Sequence, residues 1–229
     1  MSKFYAVIAG VGSGTGRSVA LRFAKTYPVA LLARSPENYD PIVSEINSSG
    51  GRAIGISTDV GDPSSVSSAF STISTSFPDH KLAAAIFNAS AGFPPKPFLE
   101  LSLADLDTSL TVNAKGLFNF AQATLPGLLE SVGEAPYSPT LIITGATASL
   151  RGSARFGSFA AGKFAVRALG QSLAREFGPR GVHVTHAIID GVIDIPRTKH
   201  YNVNEGREDG KISADSVSCL LHDAMGEGD

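Results

Sequence analysis

The residues best suited to chemistry begin with a glycine-rich turn, Gly10-Val11-Gly12-Ser13-Gly14-Thr15-Gly16, set between an apolar run and an amphipathic segment. That order is what a dinucleotide needs: a tight turn, backbone close to the pyrophosphate, and a helix N-terminus facing it. The strict Gly-x-Gly-x-x-Gly spacing fails because position 15 is threonine, whereas Gly10, Gly14 and Gly16 fit Gly-x-x-x-Gly-x-Gly. No Gly-Lys-Ser/Thr follows, so this is not an ATP-type phosphate loop. About 20 residues further on, a carboxylate would bind the adenosine ribose hydroxyls. The second apolar run instead ends Leu32-Ala33-Arg34-Ser35. Arg34 can pair with a 2′-phosphate and Ser35 can add a hydrogen bond, which favours NADP(H) over NAD(H).

The elements that must hold this turn follow from hydropathy. Apolar runs at 3–9, 29–33, 52–58, 82–87, 140–144 and 182–189 read as strands. Amphipathic segments at 15–27, 36–49, 63–77, 103–129 and 154–177 read as helices. Asp62 is a plausible N-cap, Pro126 is expected to break the fourth helix late, and Gly178-Pro179 stops the fifth. Residues 94–97 form a proline-rich loop, and the chain from 193 on is polar and irregular until a short helix near 214–225. Strand–helix alternation, with strands apolar throughout, implies an α/β fold with a parallel sheet covered on both faces. One domain is expected: 1–195 carries the dinucleotide site and cleft, and 196–229 is a short C-terminal segment.

Composition narrows the function. With 229 residues, 19 Lys+Arg against 21 Asp+Glu and a net charge of −2, nothing calls for nucleic acid or an anionic membrane as partner. No apolar stretch is long enough to span a bilayer, and the first residues do not read as a leader, so a cytoplasmic location is expected. The single cysteine, Cys219, excludes an internal disulfide and a cysteine metal cluster. His183 and His186 lie three apart on a strand and point to opposite faces, so no metal site is expected. Arg151 and Arg155 flank the expected cleft and read as solvated.

Further motifs fall in a fixed order: Asp59-Val60 after the third strand, Asn88-Ala89-Ser90-Ala91-Gly92 after the fourth, Asn113 within a helix, Lys163 in the next long helix, and Gly191 after the sixth strand. Together with the glycine turn, the chain resembles the short-chain dehydrogenase/reductase family up to about Asp194. The resemblance implies a Rossmann-like doubly wound sheet of six strands and a small-molecule substrate. By that resemblance, Gly10, Ser13, Gly14, Thr15, Gly16 and Arg34 hold the phosphates, and Asp59 with Val60 meets adenine. Asn88, Ala89, Lys163, Gly191 and Ile193 lie at the ribose and nicotinamide half. Asn113 orders a catalytic water, so Asn113 and Lys163 are the expected catalytic pair.

The departures from the family pattern are specific. Phe159 stands four before Lys163, where the family has Tyr; Ala146 stands where it has Ser; and Asp190 precedes Gly191 where it has Pro. A phenyl ring has no proton to give. The resemblance therefore implies hydride transfer on a carbonyl, an alcohol or a conjugated enoyl group, with the proton coming from Thr144, Thr147, Ser149, Asp190 or water. The alternative is a non-redox protein on the same scaffold, either a dinucleotide-binding module or an enzyme that uses the bound dinucleotide structurally in a non-redox reaction. Family chains add a seventh strand that is not read here, so one sheet edge is expected to stay open or to lie under the C-terminal segment. A homodimer is expected through the two long helices instead.

Overall fold

Continuous apolar runs become the inner strands of one sheet because helices cover both of its faces. The computed structural model describes residues 2–92 and 95–226. Met1, Phe93, Pro94 of the expected loop, and Glu227, Gly228 and Asp229 lie outside the described residues. β1 (Phe4–Ala9), β2 (Val29–Ala33), β3 (Ala53–Ser57), β4 (Lys81–Phe87), β5 (Thr140–Thr144) and β6 (His183–Ala187) form a six-stranded sheet in the order 3-2-1-4-5-6. Every pairing is parallel, with Val7 opposite Ala30 on one side of β1 and Ala85 on the other. The strand order reverses between β1 and β4, which opens a crevice at their carboxyl ends.

Alternate residues of each strand feed two cores. Ile8 and Leu31 pack with Val19 and Phe23 of α1 (Thr15–Phe23) and Ile46 of α2 (Asp40–Ser48) on one face. Val7, Leu32 and Phe87 pack with Ile73 of α3 (Pro63–Ser76) and Leu117 and Phe120 of α5 (Gly116–Glu130) on the other. α4 (Leu103–Leu110) leads into α5, and α6 (Gly157–Phe177) adds Val166 to the second core.

Several boundaries differ from expectation for identifiable reasons. The first helix stops at Phe23 rather than Tyr27, because Tyr27 precedes Pro28 and is steered away from helical backbone. Residues 36–49 split into a 3₁₀ turn, Pro36–Asn38, and α2, since Pro41 has no N–H to continue a helical ladder. Asp62 caps α3 by accepting from Ser64 N at 2.9 Å. The long fourth helix is interrupted at a π-turn, Thr111–Lys115, and not at Pro126, which sits inside α5 without ending it. There the side-chain amide of Asn113 donates to the Ser109 carbonyl at 2.9 Å, taking an acceptor that the α-helical ladder would use. The next helix starts at Gly157 rather than 154 because Arg155 holds φ +69°.

The C-terminal segment is more ordered than its polarity suggests. β7 (Ile193–Asp194) and β8 (Ile212–Ser213) pair in parallel, and α7 (Ala214–Asp223) follows. α7 packs on α1, with Val217, Leu221 and Met225 buried in the first core and His222 edge-on to Phe23 at 5.2 Å. The segment therefore does not cover the β6 edge, whose residues 184–187 are half-buried and His183 exposed. Among the described residues, no helix is long and apolar enough to cross a membrane.

Candidate functional site: a dinucleotide cleft with a buried lysine

A cleft of about 920 Å³ lies along the carboxyl ends of the sheet strands. Its floor is the turn between β1 and α1. Gly10 has φ +89°, and a Cβ there would fall on the backbone N of Ala89. A Cβ on Gly16 would lie 2.6 Å from Gly10 O, and one on Gly14 would lie 2.9 Å from Ile195 Cγ2. Asn88 Nδ2 donates to Gly10 O at 2.9 Å, tying the end of β4 to the turn. α1 opens at Gly14 with no side-chain cap, which leaves its first N–H groups for an anion in the cleft. Bare backbone, a positive φ and an uncapped helix start are the features that a pyrophosphate requires, so the residues present fit a nicotinamide dinucleotide.

At one end of the cleft Arg34, Asp59 and Val60 line the wall beside Thr58 and Asn38. Asp59 Oδ1 accepts from Gly61 N at 2.9 Å, and the carboxylate is exposed. Ser35 does not line the cleft; Asn38, which the sequence reading passed over, does. Only the fold of the Pro36–Asn38 turn brings Asn38 there, its Oδ1 lying 3.7 Å from where a Gly12 Cβ would be.

The other end gathers Thr144, Ala146, Thr147, Phe156, Phe159 and Lys163. Lys163 is 4% exposed, and its Nζ donates to Thr144 O at 3.1 Å. Burial holds its pKa down at about 8. Phe159 lies one turn earlier on α6, its ring centroid 6.0 Å from Lys163 Nζ. Asn113 is fully buried behind this end, and its Oδ1 has no protein partner among the described residues; neither has the Thr144 hydroxyl. A Cβ on Gly162 would lie 2.9 Å from Asn113 Nδ2, so glycine lets α6 close on the π-turn.

Two suggested proton donors are placed elsewhere. Asp190 is exposed and outside the cleft lining, with its Oδ1 accepting from Thr147 Oγ1 at 2.5 Å. Ser149 is buried, outside the lining, and accepts from Ala146 N at 3.1 Å. Gly191 and Ile193 do line the cleft, as do Ser13, Thr15 and Ala89. The polar segment after β6 supplies more apolar wall than its composition suggests: Ile195, Pro196 and Tyr201 face the cleft. Thr198 fixes this wall by accepting from Ile195 N at 3.2 Å and donating to Ile193 O, while Lys211 Nζ donates to Thr198 O and Lys199 O at 3.0 and 2.8 Å. Arg151 and Arg155 lie outside the lining, and Arg155 donates to Pro95 O at 3.3 Å.

His186 lies beneath this end, on the edge strand β6. Burial, then the charges of Lys163 and Arg167, lower its pKa to about 4. A histidine neutral in the fold takes up a proton on unfolding, so its contribution to stability is intact above the unfolded value of 6.5 and is lost as pH falls toward 4. The denaturation midpoint is therefore expected to drop between neutral pH and pH 5. His186→Gln should flatten that drop, and an equal drop in both proteins would refute the assignment.

Residues 5–206 match the family described as short chain dehydrogenase. The chain is 29% identical over 180 residues to a D-threitol dehydrogenase of Mycolicibacterium smegmatis, a match covering 78% of this chain and 66% of that protein. It is 30% identical over 192 residues to a chloroplastic NADPH-dependent aldehyde reductase-like protein of Arabidopsis thaliana, covering 77% of this chain and 68% of the relative. Among solved structures, a short chain dehydrogenase from Burkholderia cenocepacia in complex with NADP superposes with a TM-score of 0.80 at 26% identity, covering 98% of this chain and 91% of that one.

Proposed function

Because the chain belongs to the short chain dehydrogenase family, we propose that it is an NADP(H)-dependent oxidoreductase acting on a small carbonyl, alcohol or conjugated enoyl compound. The observation that carries this reading is one cleft lined at one end by Arg34, along its floor by the glycine-rich Gly10–Gly16 turn, and at the other end by the buried Lys163. When bound, the dinucleotide supplies or accepts a hydride at its nicotinamide ring. The α1 N-terminus and the Gly14–Thr15 backbone hold the pyrophosphate. Arg34 pairs with the 2′-phosphate, and Asp59 and Val60 border the adenine. Asn88 holds the turn in shape, and Lys163 donates to the ribose at the nicotinamide half. The orphaned Oδ1 of Asn113 would hold an ordered water behind the reaction centre.

Phe159 and Ala146 occupy, in this reading, the places of the family's proton-donating Tyr and its Ser, so the enzyme is an atypical member. The same substitutions support a second reading, in which the chain binds the dinucleotide without transferring hydride. Under that reading wild type reduces no carbonyl or enoyl compound, and Phe159→Tyr gains activity.

Titration of the protein with NADPH and with NADH tests the site. A charge-assisted phosphate contact is worth about 1.5–3 kcal/mol, so Arg34→Ala is expected to weaken NADPH roughly 10- to 100-fold. NADH binding should barely change. No binding of either dinucleotide would sink the proposal, and an Arg34→Ala variant with unchanged NADPH affinity would remove the NADP preference.

A further inference from the structure

Loss of the phenol at position 159 leaves the question of where the proton comes from, and the hydroxyls nearby answer it poorly. Thr147 lines the cleft, but its proton is directed to Asp190 Oδ1. The Thr144 hydroxyl oxygen is enclosed although its residue lines the cleft, Ser149 is buried away from the cleft, and Asp190 is exposed outside it. Lys163, by contrast, lines the cleft and carries an amine that can release a proton. Of its three N–H bonds, one is used on Thr144 O, and the other two have no protein acceptor among the described residues. Its neighbour one turn back, Phe159, offers a hydrocarbon face 6.0 Å from Nζ, where a tyrosine would offer an oxygen.

We propose that Lys163 is itself the general acid and base of this site, rather than the tuner of a neighbouring hydroxyl. The proposal rests on the hydride-transfer reading above. In reduction, a hydride from the reduced nicotinamide dinucleotide joins the carbonyl carbon with its electron pair, and the C=O π pair moves onto oxygen. That oxygen takes a proton from Lys163 Nζ, the N–H bond breaks, and the lysine is left as a neutral amine that regains a proton from water in the cleft. Oxidation of an alcohol runs the same steps backwards, with the neutral amine taking the hydroxyl proton as hydride leaves carbon.

The surroundings favour an amine that releases its proton. The titratable groups packed nearby are His186 on β6 and Arg167 on α6, and neither is an anion that would hold an ammonium. α4 and the π-turn present Ser109 and Asn113, while β5 and the turn after it present Thr144 and Thr147. Burial accordingly brings the lysine to about 8, close to working pH, where an acid–base catalyst is most effective.

The test uses the free protein first. The pH dependence of Lys163 acetylation by acetic anhydride, read by mass spectrometry, is expected to show a midpoint near 8 in wild type. Phe159→Tyr, which gives the ammonium an oxygen acceptor, should move that midpoint upward. A wild-type midpoint at the ordinary lysine value of about 10.4 overturns the proposal. Turnover of NADPH with benzil, an aromatic diketone, supplies the second arm. Wild-type reduction should fall off above the same pH. Lys163→Arg should bind NADPH yet lose roughly 10²–10⁴-fold in kcat, because a guanidinium keeps its charge but does not release its proton. Full turnover in Lys163→Arg overturns the proposal, as does a wild type that binds NADPH and reduces no benzil. Loss of turnover in Tyr201→Phe equal to that in Lys163→Arg would move the acid to the cleft-lining phenol and also overturn it. Failure of NADPH to bind would instead sink the underlying dinucleotide reading, with the acetylation midpoint still measurable.

Discussion

Gly10→Ala is expected to abolish dinucleotide binding and to destabilise the fold by about 2–6 kcal/mol, summing the cost of a side chain at positive φ and of overpacking. Position 10 has φ +89°, where L-residues with a Cβ are strained. The added carbon also has nowhere to go, because it would fall on backbone atoms of Asn88 and Ala89 at the end of β4 and not on a flexible side chain. Relief requires the glycine turn and the β4 end to separate, which breaks the Asn88 Nδ2 to Gly10 O bond and opens the cleft floor. Chemical denaturation and NADPH titration read the two effects. Gly50→Ala is the control, since Gly50 shares the positive φ but has nothing within 4 Å of its Cβ direction. If Gly10→Ala costs no more than Gly50→Ala, the steric account of the turn is wrong.

Lys163→Met is expected to do the reverse, raising stability while removing turnover. A lysine whose pKa falls from 10.5 to about 8 on folding carries an unfavourable burial of charge. That cost is on the order of 3 kcal/mol at neutral pH, less roughly 1 kcal/mol for the lost bond to Thr144 O, so a net gain of about 2 kcal/mol is expected. The pH dependence gives the sign. Below pH 8 both folded and unfolded lysine are protonated and the whole cost is present. As pH rises from about 8 to 10.5 the folded chain has already lost the proton that the unfolded chain still holds, so wild-type stability rises relative to the methionine variant. Denaturation midpoints of both proteins at pH 7 and pH 10 check this. A variant less stable than wild type at pH 7, or a difference that does not narrow with pH, would show that burial is not what governs Lys163.

The close packing at the glycine turn was legible because it is local. Gly10 and Gly16 are needed where backbone approaches backbone and Gly14 where the Ile195 side chain packs on the turn, and a spacing of glycines between a strand and a helix states that need directly. Arg34 follows β2 and is therefore delivered to the cleft by strand length alone. The break in the fourth helix was misplaced because Pro126 is visible as a residue, whereas the π-turn arises from a side-chain bond, Asn113 to Ser109, that no propensity records. Asn38 was missed because the turn Pro36–Asn38 folds it back toward Gly12. Tyr201 and Ile195 were missed because a polar stretch carries no period, and it is Thr198 and Lys211 that press it against the cleft.

A parallel α/β sheet of six strands, a glycine turn after the first strand, and a lysine with a phenylalanine one turn before it can be read along the chain. These depend on residue type and on spacing within single elements, where neighbours along the chain are neighbours in space. Folding across the sheet is what places Asp190 against Thr147 outside the cleft, turns Ser149 inward, lays α7 over α1 with the β6 edge half-exposed, and buries Lys163 with one hydrogen bond. Those outcomes depend on burial and on contacts across 19 to 43 residues of chain, such as Lys163 to Thr144 and Thr147 to Asp190, and a charge acquires its chemistry from the solvent such contacts exclude.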